Sequence, residues 1–592
     1  MAQLVDTNID IDGKSIKQFS SLNISQGIYE HHLFTLVCPA EAIDGTSGLI
    51  FNSSKNMIGS SINIKMDAVG SSGTMKFSGV ITQVEAERYN GHAGNIVISG
   101  FSPTILLDNG PHCQTWEKKT LKNIAQAVVE NFPKNLLQPS ISPSYGDTMS
   151  YTVQYKETAW QFLYRLSVMH GEWFYYDGRK LVLGPPKGNT VKLNYGSNLQ
   201  QFSMALQVRP TSFQVMAYDY MNHEVYTSSP KDIASKDGLN DLGKFALQKS
   251  EKFYDSKPKQ WNNQFLTDKK QLDDFANVRA SVESSNMVRF TGTSDHPGIQ
   301  VGGTASIQGR NVFSQANETF GDYSILSVNH QCNGQGNYTN FFVSIPSSVK
   351  MSPVTVYPEP RCETQSATVT DNNDPNGLGR VRVRFHWMET TEKSPWIRVT
   401  SAHGGGGKGM FFMPEVGEEV IVGFESDSPT KPYIIGSVFH GKAKSSSGNS
   451  GNDVKQISTR AGSSIAFDDS AGSLKLTDKN GSHLTMDGKG NLTMDSKESI
   501  KLTCGGTTIQ MSKDGKISIT GKEINIEGSA KAILKSGPAS FAADGQGGDA
   551  KMDGMNVTIS GTVESKLKAN AQITIDSAGI VDIKGAMIKK NG

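Results

Sequence analysis

Four stretches of the chain carry residue types that could do chemistry, and each lacks the partner its chemistry requires. His403-Gly-Gly-Gly406 has the make-up of an oxyanion loop, but the sequence contains no G-x-S-x-G nucleophile elbow. The overlapping run Gly404-Gly-Gly-Gly-Lys-Gly409 could wrap a phosphate, yet Gly409 stands where a Ser or Thr must follow the lysine. His223-Glu224 opens the two-histidine zinc pattern, and Thr227 occupies the place of the second histidine. Asp468 and Asp469 are neighbouring acids, but adjacent residues of a strand point to opposite faces and cannot act as a pair. These stretches read as a glycine-rich barrel loop, an exposed polar pair and a solvated turn. No catalytic, cofactor-binding or metal-ligating residue is predicted, and the chain is expected not to be an enzyme.

Composition narrows the classes further. Basic and acidic residues nearly cancel, 58 against 57, and from residue 451 onward the counts are 18 and 16. That balance speaks against a nucleic-acid stripe or an anionic-lipid anchor. The five cysteines, Cys38, Cys113, Cys332, Cys362 and Cys504, are scattered and form no C-x-x-C pair. A disulfide framework is not expected, which suits folding in a reducing cytoplasm. The opening MAQLVDTNIDIDGK lacks the apolar core of a Sec signal, and no apolar run approaches the ~20 residues that span a bilayer.

The positioning elements are more informative than the isolated motifs. From about residue 472 to the end, apolar pairs recur at alternate positions: Leu474/Leu476, Leu484/Met486, Leu492/Met494, Ile500/Leu502, Ile509/Met511, Ile517/Ile519 and Ile524/Ile526. First members lie 7 to 10 residues apart, with turn formers such as Asp478-Lys-Asn-Gly481 and Asp487-Gly-Lys-Gly490 between them. A period of two within each unit turns one face inward, and the regular return of the unit predicts a stacked β-solenoid. Two inward side chains per unit cannot bury a core alone. Neighbouring units or other chains must complete it, and the periodicity by itself permits either. About 17 such units, at ~4.8 Å per strand layer, make a shaft on the order of 80 Å long.

Upstream, residues 1–350 hold nearly all the aromatics and read as strands with a few helices. The spacing predicts helices over 118–132, 158–170 and 268–282, the second opened by a Thr158/Gln161 capping box. A hairpin is expected at 173–176 and 180–183, turned by Asp177-Gly178. Residues 351–365, with Pro353, Pro358 and Pro360, read as a linker. A small five-stranded barrel of the OB type follows at 366–441, with strands at 380–386 and 419–424. The Ser- and Gly-rich segment 442–452 leads into a region without Trp or Tyr, which marks a new architecture at 455–592.

Three stretches carry a family resemblance. QYKETAWQFLYRLSVMHGEWFYYDG (154–178), the barrel sequence 374–441 and STRAGSSIAFDDSAG (458–472) resemble, in this order, the VgrG proteins of type VI secretion systems and the related hubs of contractile phage tails. The resemblance implies a homotrimer: two tube-like hub barrels per chain, an OB collar, and one strand-set of an intertwined triple-stranded β-helix. It implies a structural spike that caps a hexameric, Hcp-like tail tube, sits among baseplate proteins and carries effectors. It also implies synthesis in the bacterial cytoplasm, then secretion or injection into target cells. Certain phage needles insert a lysozyme between collar and shaft, for which the short 442–457 connector leaves no room.

Two sets of residues are expected to matter. Leu484, Leu492, Ile500, Ile509, Ile517 and Ile524 should face the trimer axis of the needle. At the C-terminus, residues 581–590 continue the strand alternation without histidines, the last of which is His483. Open strand edges there would invite a cap, and the resemblance implies that Ile583, Gly585, Ala586, Met587 and Ile588 dock a separate PAAR-like tip protein. The alternatives are the spike of an extracellular phage-like injection particle, a polysaccharide-cleaving solenoid enzyme, and a surface adhesin.

Overall fold

The computed structural model describes residues 4–46, 49–233, 237–311 and 313–590, and the chain divides into two units, Met1–Ala443 and Lys444–Gly592. The first is mainly β with a few helices. Its largest element is a 13-stranded sheet. Alternation drives it: along the strand Leu33–Pro39, Phe34, Leu36 and Cys38 are buried and the residues between them are not.

The two lobes expected from the sequence share this one continuous sheet. Their link is the 17-residue strand Asn317–Asn333, which pairs with Thr304–Arg310 and Tyr338–Pro346 and also with Ser21–Gly27. Two separate apolar cores lie against the sheet. One gathers Ile9, Ile24, Phe34, Ile64, Phe77 and Ile98, and the other Trp173, Phe290, Ile307, Tyr323, Ile325 and Phe342.

Three helices stand where periodicity put them, at Leu121–Glu130, Ala159–Met169 and Lys269–Ser285. The second carries the expected capping box, with Thr158 accepting from the Gln161 amide and the Gln161 side chain accepting from the Thr158 amide. Beneath it, Arg165 donates two 2.7 Å hydrogen bonds to the Glu157 carboxylate, and both side chains are buried. The hairpin Phe174–Tyr176 with Lys180–Leu183 forms as expected; Asp177 accepts the Arg179 and Lys180 amides across its turn. A further helix, Asp241–Phe253, was not anticipated. It buries only Gly243, Ala246, Leu247 and Ser250, a stripe too small and polar to stand out.

Residues 351–361 are anchored at several points rather than free along their length. Ser285 and Asn286 donate to the carbonyls of Met351 and Pro353, and Val354 and Tyr357 lie against the core of the first two helices. The five-stranded sheet that follows has the order Arg382–Phe385, Gln365–Asp371, Glu419–Phe424, Pro432–Ser437, Arg398–Val399. Val369, Val383, Phe385, Val420, Val422 and Ile434 alternate into its core.

The second unit has no core. Among its described residues none is buried. Consecutive strands reverse direction and pair as antiparallel meanders, in one five-stranded sheet and two three-stranded sheets, so no single-chain coil closes. Two expectations of strand fail here. Ile524 and Ile526 lie in a stretch without strand, and residues 554–590 contain none, so Ile583, Gly585, Ala586, Met587 and Ile588 are not on strands within this chain. Alternation prepares a segment for the extended conformation, but a strand exists only where another backbone pairs with it.

Candidate functional site

The shaft sheets are two-faced, and their register shows why. In the five-stranded sheet, Ile457 stands opposite Ile465, Ile465 opposite Leu476, Leu476 opposite Leu484 and Leu484 opposite Met494. A second row runs Phe467, Leu474, Met486, Leu492. Directly paired residues share a face, so both rows lie on one side. The other side carries Gln456, Ala466, Lys475, Thr485 and Thr493. The next sheet repeats the arrangement: Ile500, Met511 and Ile517 form one row, Leu502, Ile509 and Ile519 the other, with Lys501, Gln510 and Ser518 behind.

This places Leu484, Leu492, Ile500, Ile509 and Ile517 together on apolar faces that their own chain covers at most in part: Leu484 and Ile500 are half-buried and the other three exposed. Leu492 is 56% exposed and Ile517 67%. Ile524 is 50% exposed and belongs to neither face. A third sheet lies within the predicted shaft but beyond the apolar pairs that the sequence makes plain. Lys531–Ser536, Ala539–Asp544 and Asp549–Asp553 set Leu534, Phe541 and Met552 in one row and Ala532, Ala543 and Ala550 in the next. Alanines stand there in place of Leu and Ile, which blurs the apolar pair; the period-two spacing of Leu534 and Phe541 with their alanines was the available signal.

The corners between strands are built by aspartates. Asp478 accepts the amides of Asn480 and Ser482, and Asp487 those of Lys489 and Asn491. Hydrogen bonds from the Asn491 side chain and from backbone amides hold the Asp487 carboxyl below its usual pKa. Asp468 plays the same part, accepting from Ser470 and Ala471, while Asp469 pairs with Lys455. The two acids are thus turn and surface residues.

The other stretches with chemical potential are equally structural. Residues 404–405 pair with 408–409 in a small exposed hairpin. His223 meets the Tyr218 hydroxyl and Glu224 starts a surface strand. Among the described residues no group of three or more His, Cys, Asp or Glu could hold a metal ion.

A two-lobed β hub, a five-stranded barrel and a repetitive shaft with one apolar side define a structural protein of the hub-and-spike kind.

Comparison with known proteins supplies the family. Residues 50–336 match the phage tail baseplate hub family, and residues 365–439 match the type VI secretion system/phage-baseplate injector OB domain. The chain is 21% identical to the type VI secretion system spike protein VgrG1a of Pseudomonas aeruginosa, over 87% of this chain and 91% of that one. It is 36% identical to VgrG4b of the same organism over 18% of this chain and 14% of that one. A VgrG in the Francisella PdpA-VgrG complex shares the fold, with a TM-score of 0.53 over 83% of this chain and 80% of that one at 10% identity. The chain belongs to the spike-protein family of type VI secretion systems and contractile phage tails.

Proposed function

We propose that three copies of the chain wind their shaft strands into one triangular prism, and that this trimer is the non-enzymatic spike of a type VI injection machine. The observation that carries the reading is the pair of apolar rows on each shaft sheet, which the same chain covers at most in part. Three copies, each contributing one face, would turn every row toward a common axis and pair the open strand edges. Partner strands would also give residues 554–590 the strand pairing they lack within one chain. At the other end, two similar lobes per chain would offer six positions to a hexameric tube ring from a trimer. The chain would be made in the bacterial cytoplasm and leave it only on injection, which suits free cysteines at Cys38, Cys113, Cys332, Cys362 and Cys504.

The spike would puncture the target envelope while carrying tip and effector proteins. The VgrG of Francisella is held in a complex with PdpA, which supports cargo or adaptor binding by spikes of this fold. Deleting the protein from a bacterium that kills neighbours by contact should abolish that killing, and the full chain should restore it. A chain ending at Ala443 should not. Restoration by the shortened chain would refute the spike reading.

A further inference from the structure

Outside the shaft, a cleft of about 1210 Å³ in the first unit has no part in the spike reading. It opens between the helices Ala159–Met169 and Lys269–Ser285, runs along residues 347–351 and 357–361, and reaches the barrel loop 426–430. Ligand sites commonly occupy ~300–1,000 Å³, so the space can hold an organic molecule.

The walls are aromatic and acidic. Five rings line the cleft, those of Tyr145, Tyr151, Phe265, Phe275 and Tyr357. Six carboxylates, Asp147, Glu172, Asp237, Asp274, Glu359 and Asp427, stand against three cations, Arg165, Lys350 and Arg361. The cations leave that excess in place. Arg165 is already bound by Glu157, and Lys350 and Arg361 are exposed to water. Lys270 pairs with Asp147 and Asp274. Glu172 and Asp237 are buried; they accept from the Tyr145 amide and the Ser284 hydroxyl, and among the described residues neither forms an ion pair. Burial accordingly raises the pKa of both carboxyls, a cost that a bound cation would relieve.

A second group points to the same chemistry. His170 lines the cleft, and its Nε2 is shielded from solvent without a hydrogen-bond partner. Such an atom is costly to leave unpaired. Burial lowers the pKa of the ring to about 4, so near neutral pH it is uncharged and one nitrogen is free to accept. Tyr145 brings the two features together. Its ring stacks on His170 at 3.9 Å between centroids, and its amide donates to Glu172.

We propose that this cleft binds a primary aromatic amine, its ammonium set by His170 and Glu172 and its ring among the five aromatic side chains. The ammonium donates to the free imidazole nitrogen, lies in the field of the excess carboxylates and meets the electron-rich ring faces. The aromatic body takes up apolar wall that water covers poorly. An anion of the same shape is repelled by the carboxylates, and a neutral alcohol gains the walls without the charge. A bound amine would touch both helices and the barrel loop at once, and so would tie barrel to hub.

Calorimetric titration of the full chain near neutral pH tests the site with 2-phenylethylamine, 2-phenylethanol and 3-phenylpropionate. The amine should fill one site per chain and raise the melting temperature, with the alcohol and the acid at least about ten-fold weaker. His170→Phe keeps the stacked ring and removes the acceptor; it should weaken the amine several-fold and leave the alcohol unchanged, a split that a merely structural role would not produce. Ser348→Trp, at an exposed position of the lining, should block all binding. The ligand series on the unaltered chain decides by itself. Alcohol or acid bound as tightly as the amine, or no amine binding up to roughly 10 mM, would overturn the proposal. The site lies within one chain, so its failure would leave the spike reading standing.

Discussion

Leu476 and Leu484 stand directly opposite each other on adjacent antiparallel shaft strands, on the side of the sheet that the chain covers at most in part. In water such a pair has little reason to persist. Its burial at ~25 cal/mol per Å² is available only against another surface, and the same holds for every paired row down the shaft.

The face can be tested with neighbouring residues of one strand. Ile517 lies on the apolar side and Ser518 on the other. Ile517→Asp would place three carboxylates around one axis, whereas Ser518→Asp would meet solvent. The first should destabilise the assembly by several kcal/mol per trimer and so lower its denaturant midpoint sharply, because unpaired buried charge is costly. The second should leave it within about 0.5 kcal/mol. Equal effects in urea titrations would show that the face is assigned wrongly.

Inside the hub, the Glu157–Arg165 pair is predicted to matter through what its loss exposes. Glu157→Gln leaves the guanidinium buried with the Val153 carbonyl and half its former acceptor. Breaking one side of such a pair costs about 3–5 kcal/mol. The joint replacement Glu157→Gln with Arg165→Met should recover part of that loss. Hub melting followed by tryptophan fluorescence separates the two cases, and a double variant no better than the single would contradict the account.

Acid should loosen the hub through three buried histidines. Burial lowers the pKa of His32 and of His330 to about 3 and that of His170 to about 4, so all stay neutral in the folded state near neutral pH. Below the unfolded value near 6.5, only the unfolded chain takes up these protons. Stability is therefore complete above about pH 6.5 and falls by roughly 1.4 kcal/mol per pH unit for each histidine as pH drops. Burial raises the pKa of Glu172 and Asp237, which opposes the loss only between those raised values and the unfolded range near 4. His330→Gln should make the stability of the hub less steep in pH by close to one proton. An unchanged slope would exclude His330 as a source.

At the far end, truncation before Gly585 should spare the assembly and remove its tip partner. Met587 and Ile588 are 74% and 61% exposed, so their loss costs the isolated chain no core. Pull-down of a PAAR-like protein by full and truncated chains is the measurement. Equal capture by both would leave the end without a docking role.

Much of this was legible in the residues. Helices with strong stripes and caps, such as that opened by Thr158, declared themselves, and so did the shaft rows, because Leu, Ile and Met recur at alternate places. What stayed hidden depended on partners beyond local pattern. The helix Asp241–Phe253 buries a stripe of mostly small residues, with Leu247 its one large member. The alanine row of the third shaft sheet is apolar without looking so. Ile524 has the right alternation but no neighbouring backbone to make it a strand. The cleft of the first unit is lined from stretches scattered between residues 144 and 430, and only the fold unites it.

The central claim is that the shaft is completed between chains. Multi-angle light scattering of the purified full chain measures this directly. The account predicts a single species of three times the 64.1 kDa chain mass, unchanged on dilution and collapsing when the shaft face is charged. A folded, soluble species at the mass of one chain would contradict it.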